Sequence, residues 1–281
     1  MTVPTILLAD NGSTRTEAVL NLRKLAQQLS KLCQHRVFPV PLQHANKISK
    51  QQLNGEPIDT LEPFLRKKLS EGERQFLLIP LFFGNSRALT SFIPKQVDSL
   101  QTRFGPFTLK QSEVLYPLPQ GEPRLAAIVY EQLKSNLDNK KPPHIILVDH
   151  GSPIPEVTEV RKRVAKDLRD LLVSNAIVNE AVMERREGQA YDFNGDLLEK
   201  LLITIAKTTP NQHINLAPLF LSPGRHAGPG GDIEIICDQV RQRYPMLSIH
   251  IAPLVGQHPS LLDILLERLN SGLAEFRFFD K

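Results

Sequence analysis

Cysteine is scarce in this chain. Its two cysteines, Cys33 and Cys237, lie far apart and form no CxxC pair, which excludes a disulfide framework and a zinc ribbon. Long apolar runs are missing too: no stretch approaches the ~20 residues needed to cross a bilayer. The opening MTVPTILLAD has neither the basic lead nor the apolar run of a signal peptide. A cytoplasmic location with no membrane partner is the expectation. Helix-turn-helix, RNP and zinc-finger patterns are absent. The net charge of +4 is spread along the chain, in basic clusters such as RKRVAKDLRD that also hold acids and lack interleaved aromatics, so nucleic acid is not an expected partner. There is no G-x-S-x-G elbow for a hydrolytic serine, and the glycine-rich AGPGG segment lacks the GK[ST] ending of a phosphate loop.

What is present is ordinary globular composition, 41% apolar and 23% charged over 281 residues, enough for a sizeable core. It also contains a repeat. Asn11-Gly12-Ser13 matches His150-Gly151-Ser152 at an offset of 139 residues. LLIPLFFGNSRA matches NLAPLFLSPGRH, with Pro80 on Pro218 at an offset of 138, and YPLPQGEP matches APLVGQHP at an offset of 136. Three matches in one order with so little drift mean two copies of one unit. The expected division is residues 1–138 and 139–281, with the polar Lys134–Pro143 segment as the link.

Each copy alternates strand-like and helix-like patterns. Strands are expected at Thr5–Ala9, Val37–Val40, Phe76–Leu81 and Leu109–Leu115, then at His144–Val148, Ala176–Val182, Ile214–Phe220 and Leu247–Ala252. An amphipathic stripe runs through Val157, Val160, Val164, Leu168, Leu171 and Leu172. Strand–helix alternation predicts α/β units, each a parallel sheet flanked by helices. Ligands of such sheets sit beyond the carboxyl ends of the strands, where His150, Glu184 and His226 all fall.

The copies differ in chemistry. Asn11 stands where the second copy has His150, and Ala88 where it has His226, while Arg87 and Arg225 coincide. The first copy is therefore expected to be a degenerate scaffold and the second to carry the reactive site. Glu184 ends the second strand of that copy. It reads equally as a solvated carboxylate paired with Arg185 or Arg186. Its counterpart in the first copy is His44 or a neighbour. Two imidazoles and a carboxylate suit Fe²⁺, Co²⁺, Ni²⁺ or Zn²⁺, and imidazole also accepts protons near neutrality. Metal insertion into a tetrapyrrole needs both acts, since two pyrrole protons leave as the metal enters. Ser152 recurs as Ser13 in the copy without histidines, so Gly-Ser serves the turn. The amides of Gly228, Gly230 and Gly231 read either as a tight turn or as receivers of a substrate carboxylate at a helix N-terminus. Arg225, Arg185 and Arg186 are candidate carboxylate forks. His258, opposite Glu122 and just before a helix, reads as a cap.

VDHGSPIPEV together with APLFLSPGRHAGPGGDI and PLVGQHPSLLDILLER resembles the CbiX/SirB family of sirohydrochlorin chelatases. The resemblance covers both copies, as in the long, two-unit members. It implies two tandem flavodoxin-like units facing each other across a cleft. It further implies ATP-independent insertion of Co²⁺, Fe²⁺ or Ni²⁺ into sirohydrochlorin or a related carboxylate-rich tetrapyrrole, in cobalamin or sirohaem biosynthesis. His150 and His226 become metal ligands and proton acceptors, Glu184 joins the site, and Ser152, Gly230, Gly231 and the arginines contact the tetrapyrrole. The only cofactor-like species is the metal substrate itself. A monomer is plausible because the two units are fused. One departure stands out: Asp232 follows His226 by six residues, across AGPGG, where the family pattern has about four. Two rival readings remain: a non-catalytic tetrapyrrole or metal carrier, and, from a faint likeness of GRHAG to the RHG motif, a histidine phosphatase.

Overall fold

The computed structural model describes residues 3–137, 142–172 and 175–279. Of the expected link, Lys134–Pro143, residues 138–141 with the repeat boundary among them lie outside the described residues. The first copy forms β1 (Thr5–Ala9), α1 (Thr16–Cys33), β2 (Val37–Pro39), α2 (Leu61–Ser70), β3 (Gln75–Pro80), α3 (Ile93–Phe104), β4 (Thr108–Gln111) and α4 (Pro123–Leu133). The second forms β5 (His144–Asp149), α5 (Pro155–Leu171), β6 (Ile177–Val182), a two-residue β7 (Asp196–Leu197), α6 (Leu198–Thr208), β8 (His213–Pro218), α7 (Asp232–Arg243), β9 (Ser248–Ile251) and α8 (Leu261–Phe279).

Both sheets are wholly parallel, ordered β2-β1-β3-β4 and β7-β6-β5-β8-β9. All eight expected strands are present. The fourth is shorter than expected, because its partner β3 ends at Pro80, which has no N–H to carry the ladder on. β7 had no forerunner in the sequence pattern. The central strands read as unbroken apolar runs, ILLA in β1 and FLLIP in β3, because helices cover both faces of the sheet. On one face of the first sheet, Leu7 and Ala9 pack with Leu61, Phe64 and Leu65 of α2 and Ile93 and Leu100 of α3. On the equivalent face of the second sheet, Ile146 and Val148 pack with Leu198 and Leu202 of α6 and Ile233, Cys237 and Val240 of α7. Proline at the first position of α4 and α5 presets the helical φ where no N–H partner is needed. No described helix is long and apolar enough to cross a membrane.

The compact units do not follow the repeat. One comprises Met1–Pro117 and Leu262–Lys281, the other Leu118–Leu261. Thus α4, encoded by the first copy, packs beside α5 in the second unit. The C-terminal α8 belongs to the first unit, where Arg268 donates to the carbonyls of Val114 and Leu115 at 3.0 and 3.4 Å. Each copy's last helix serves the other copy's sheet, so a boundary read from repeat matches and a boundary read from packing differ by one helix at each end.

Gly272 marks how tightly α8 sits: a Cβ there would lie 2.7 Å from Leu77 Cδ1 of β3. Gly272→Val is expected to cost about 1–3 kcal/mol through overpacking, measured by urea denaturation. Amide exchange should rise in β1 and β3 and stay unchanged in β5 and β8.

Candidate metal centre

Three neighbouring strand ends supply the site. β5 is central between β6 and β8, and the chain leaves it for β6 on one side and later crosses to β8 on the other. This is the switch point at which α/β sheets open a crevice. His150 follows β5, Glu184 lies just past β6, and His226 lies in the loop after β8.

The turn after β5 is locked by its own polar groups. Gly151 takes φ 89°, and its amide donates to Asp149 Oδ1 at 3.0 Å. A Cβ at Gly151 would overlap the Glu184 carbonyl, so only glycine permits this approach. Glu184 N–H donates to the His150 carbonyl at 2.9 Å, tying the two strand ends together. Ser152 Oγ accepts from Ile154 N–H at 3.0 Å, which makes this serine part of the turn. The same pattern recurs after β1, where Gly12 N–H donates to Asp10 Oδ1 and Ser13 Oγ accepts from Arg15 N–H, each at 3.0 Å. A Cβ at Gly12 would overlap the Gln43 carbonyl, so Gln43 is the counterpart of Glu184.

The rings of His150 and His226 meet edge to face, their centroids 4.7 Å apart. Ligand atoms of His150, Glu184 and His226 all lie within 4.8 Å of one another. An ion ~2.1 Å from each donor spans pairs up to ~4.2 Å apart, so a small side-chain rotation closes the cluster on one cation. His150 Nδ1 lies 3.0 Å from the Gly151 carbonyl. A carbonyl only accepts, so Nδ1 is the donor of this contact and Nε2 is the ring atom turned toward the cluster. His226 Nε2 is 3.5 Å from Glu184 Oε1, and its Nδ1 is 2.8 Å from Asp232 Oδ2 but off the line of a hydrogen bond. A carboxylate beside one nitrogen orients the other as a ligand. Burial first, and the His150 ring second, hold the His226 pKa below the usual histidine value against the pull of Glu184 and Asp232. Its imidazole is therefore neutral, the form that binds metal, at physiological pH.

The six-residue spacing to Asp232 turns out to be a closed loop. Asp232 N–H donates to the Arg225 carbonyl and Ile233 N–H to the His226 carbonyl, both at 3.0 Å. These bonds bring the first residue of α7 back beside the imidazole.

The remaining candidates divide. Arg225 lies over the cluster, 3.6 Å from Glu184 Oε1 and 3.5 Å from Asp232 Oδ2, with its side chain 73% exposed. Glu184 is thus paired with Arg225 and lies 3.5 Å from the neutral His226 ring. Arg185 instead donates to Gly195 O and Asp192 Oδ1 at 2.9 and 3.0 Å, and Arg186 stacks on Tyr191 and reaches its hydroxyl. Both point to the 189–195 segment. Gly230 N–H donates to Glu234 Oε2 at 2.5 Å and Gly231 N–H to Gly228 O at 3.0 Å. These amides serve the loop, the tight-turn reading of the pair. His258 Nδ1 accepts from Ser260 N–H at 3.2 Å just before α8, a capping contact like that of Glu122 before α4.

Sequence reasoning missed the support beneath His150. Arg161 of α5 is 1% exposed. It donates to Asp149 Oδ1 at 2.6 Å, to Glu180 Oε2 at 3.3 Å and to the Asn194 carbonyl at 2.7 Å. The Asn194 amide in turn accepts from Ser152 N–H at 3.0 Å and donates to Ser152 O at 2.9 Å. One guanidinium therefore holds both ends of the histidine turn. The available signal was an arginine at a core-facing step of the α5 stripe, 157, 161, 164 and 168, where a charge implies a buried partner.

In the first copy the position equivalent to Arg161 is Leu22, fully buried. Asp10 there keeps its turn without a guanidinium, and desolvation pushes its pKa up to about 6.

The sequence model of the CbiX family matches residues 144–272. No curated protein matches the chain in sequence. Among solved structures, SirB from Bacillus subtilis with Fe³⁺ aligns at a TM-score of 0.72 and 15% identity, covering 98% of both chains. The sirohydrochlorin chelatase SirB from Bacillus subtilis subspecies spizizenii, in complex with cobalt, aligns at 0.69 and 15% identity over 97% of this chain and 96% of that one. CbiX, described as the terminal enzyme for siroheme biosynthesis in denitrifying bacteria, aligns at 0.60 and 14% identity over 95% and 98%. The whole chain therefore has the two-unit chelatase fold.

Two outcomes test the support network. Arg161→Met strands buried Asp149 and is expected to cost about 3–5 kcal/mol in chemical denaturation, with Arg161→Leu/Asp149→Asn recovering most of it. For Asp10, the folded pKa exceeds the unfolded value of 3.8, so its contribution falls as pH rises from about 4 to about 6 and is fully unfavourable above that. Asp10→Asn should stabilise the protein at pH 7.5, by up to ~3 kcal/mol, and give no advantage below pH 4.

Proposed function

We propose that this chain, a CbiX-family protein by its residues 144–272, is a metal chelatase acting on sirohydrochlorin or a related carboxylate-rich tetrapyrrole. The observation that carries this reading is the convergence of His150, Glu184 and His226, with donor atoms within 4.8 Å of one another, at the switch point of the second sheet. Solved proteins of the same fold hold Fe³⁺ and cobalt.

The reaction exchanges ions without redox change or nucleotide: a divalent cation enters the macrocycle and two pyrrole protons leave. Imidazole and carboxylate ligands suit both halves. His150 Nε2 and His226 Nε2, with a Glu184 oxygen, hold the incoming cation and leave it exchangeable. As the cation transfers, the freed imidazoles are bases of the right strength to take the departing protons. Thiolates would retain the metal, and Cys237 is excluded from that role: it is fully buried in the core, and burial pushes its pKa up to about 12. Arg225, over the two acids, is placed to trade an intramolecular carboxylate for one on the substrate. Which of Co²⁺, Fe²⁺ and Ni²⁺ is the physiological cargo follows the relative supply of metals as much as the ligand set, since this donor set accepts all three.

The test is anaerobic mixing of protein, sirohydrochlorin and Co²⁺ or Fe²⁺, followed by absorbance. Acceleration over the spontaneous reaction is expected, with His150→Ala and His226→Ala each lowering the rate at least about 100-fold. Tight tetrapyrrole binding without acceleration would identify a carrier and overturn the enzymatic reading.

A further inference from the structure

The first unit retains the place of the metal centre but not its chemistry. A depression of about 360 Å³ lies at the carboxyl ends of its strands, lined by Asn11, Gln43, Arg87, Ala88, Ser91 and Lys95 among others. Asn11 stands for His150, Gln43 for Glu184 and Ala88 for His226. Every metal donor has been replaced by a neutral group, and no carboxylate lines the depression. Arg87 occupies the place of Arg225. Arg225 is held by Glu184 and Asp232, whereas among the described residues neither Arg87 nor Lys95 has an ion-pair partner.

The local backbone aligns these cations. A π-helical turn, Ala88–Phe92, runs straight into α3, so Arg87, Ser91 and Lys95, four residues apart, follow one flank. Two cations, a hydroxyl and two amide side chains converge on one opening. A symmetric position that is anionic in one copy has become cationic in the other.

We infer that this depression is a carboxylate-binding site. The guanidinium of Arg87 supplies the planar fork that matches a carboxylate, Lys95 a second charge, and Asn11 and Gln43 neutral donors. The carboxylate comes either from the side chains of a tetrapyrrole or from a free small polycarboxylate. The site belongs to the first unit and involves no metal, so it stands or falls apart from the reaction proposed for the second.

The experiment titrates full-length, metal-free protein with two probes. These are uroporphyrin, whose side chains all end in carboxylates, followed by its absorbance band, and tricarballylate, followed by calorimetry. Arg87→Gln/Lys95→Gln changes two exposed side chains, and unchanged thermal unfolding checks its fold. Gln43→Glu restores beside Arg87 the acid that Arg225 has. Both variants are expected to weaken at least one probe about tenfold or more. Loss of uroporphyrin binding assigns the tetrapyrrole as the source, and loss of tricarballylate binding alone assigns a free polycarboxylate. Failure of the wild type to bind either probe overturns the inference, as do variants within about twofold of wild type or inorganic phosphate competing as well as tricarballylate.

Discussion

The buried guanidinium of Arg161 is the contact on which the second unit's site depends. It sits 1% exposed between Asp149, Glu180 and the Asn194 carbonyl. A charge in that position is tolerable only if paired on every side. The pairing fixes Asp149, whose carboxylate receives the Gly151 amide, and fixes Asn194, whose amide grips Ser152 from both sides. His150 projects between these two anchors. The backbone that presents this candidate ligand is thus fixed before any ion binds.

The duplication supplies an internal control. The first copy keeps the aspartate, glycine and serine of the turn, with matching bonds of 3.0 Å, and has Leu22 where the second has Arg161. Burial pushes the Asp10 pKa up to about 6 with no guanidinium to oppose it, and it raises that of Asp149 too, against the pull of Arg161. The turn therefore needs the aspartate and glycine for its shape. The buried cation is present in the copy that also presents two imidazoles. One scaffold thus carries two electrostatic characters: acids and imidazoles at the strand ends of one copy, and at those of the other cations with no ion-pair partner among the described residues.

Much of this was readable from residues alone. Apolar runs such as ILLA and FLLIP announce strands covered on both faces, and the drifting repeat assigns the copies. The shift from His150 and His226 to Asn11 and Ala88 points to the copy with the candidate metal donors. Reading along the chain did not show where Arg185 and Arg186 point. Like Arg225 they are arginines near a strand end, and the 189–195 segment that captures them contacts Ser152 only through the fold. The departure at AGPGG reads as two extra residues between His226 and Asp232. Backbone bonds from Asp232 and Ile233 to Arg225 and His226 return it to the ring, a closure with no signature in spacing.

Reading along the chain was enough for the local and repeated features of this protein: strand and helix periods, the glycine that alone fits φ 89°, the duplicated unit, and the candidate donors. Those properties depend on a residue and its near neighbours, or on likeness between two stretches. Tertiary structure decided which helix covers which sheet, sending α4 and α8 to each other's copies, and which charges meet. It also set the 4.7 Å approach of His150 to His226. These depend on distances between residues remote in the chain, which periodicity does not encode and which only the order of the folded strands supplies.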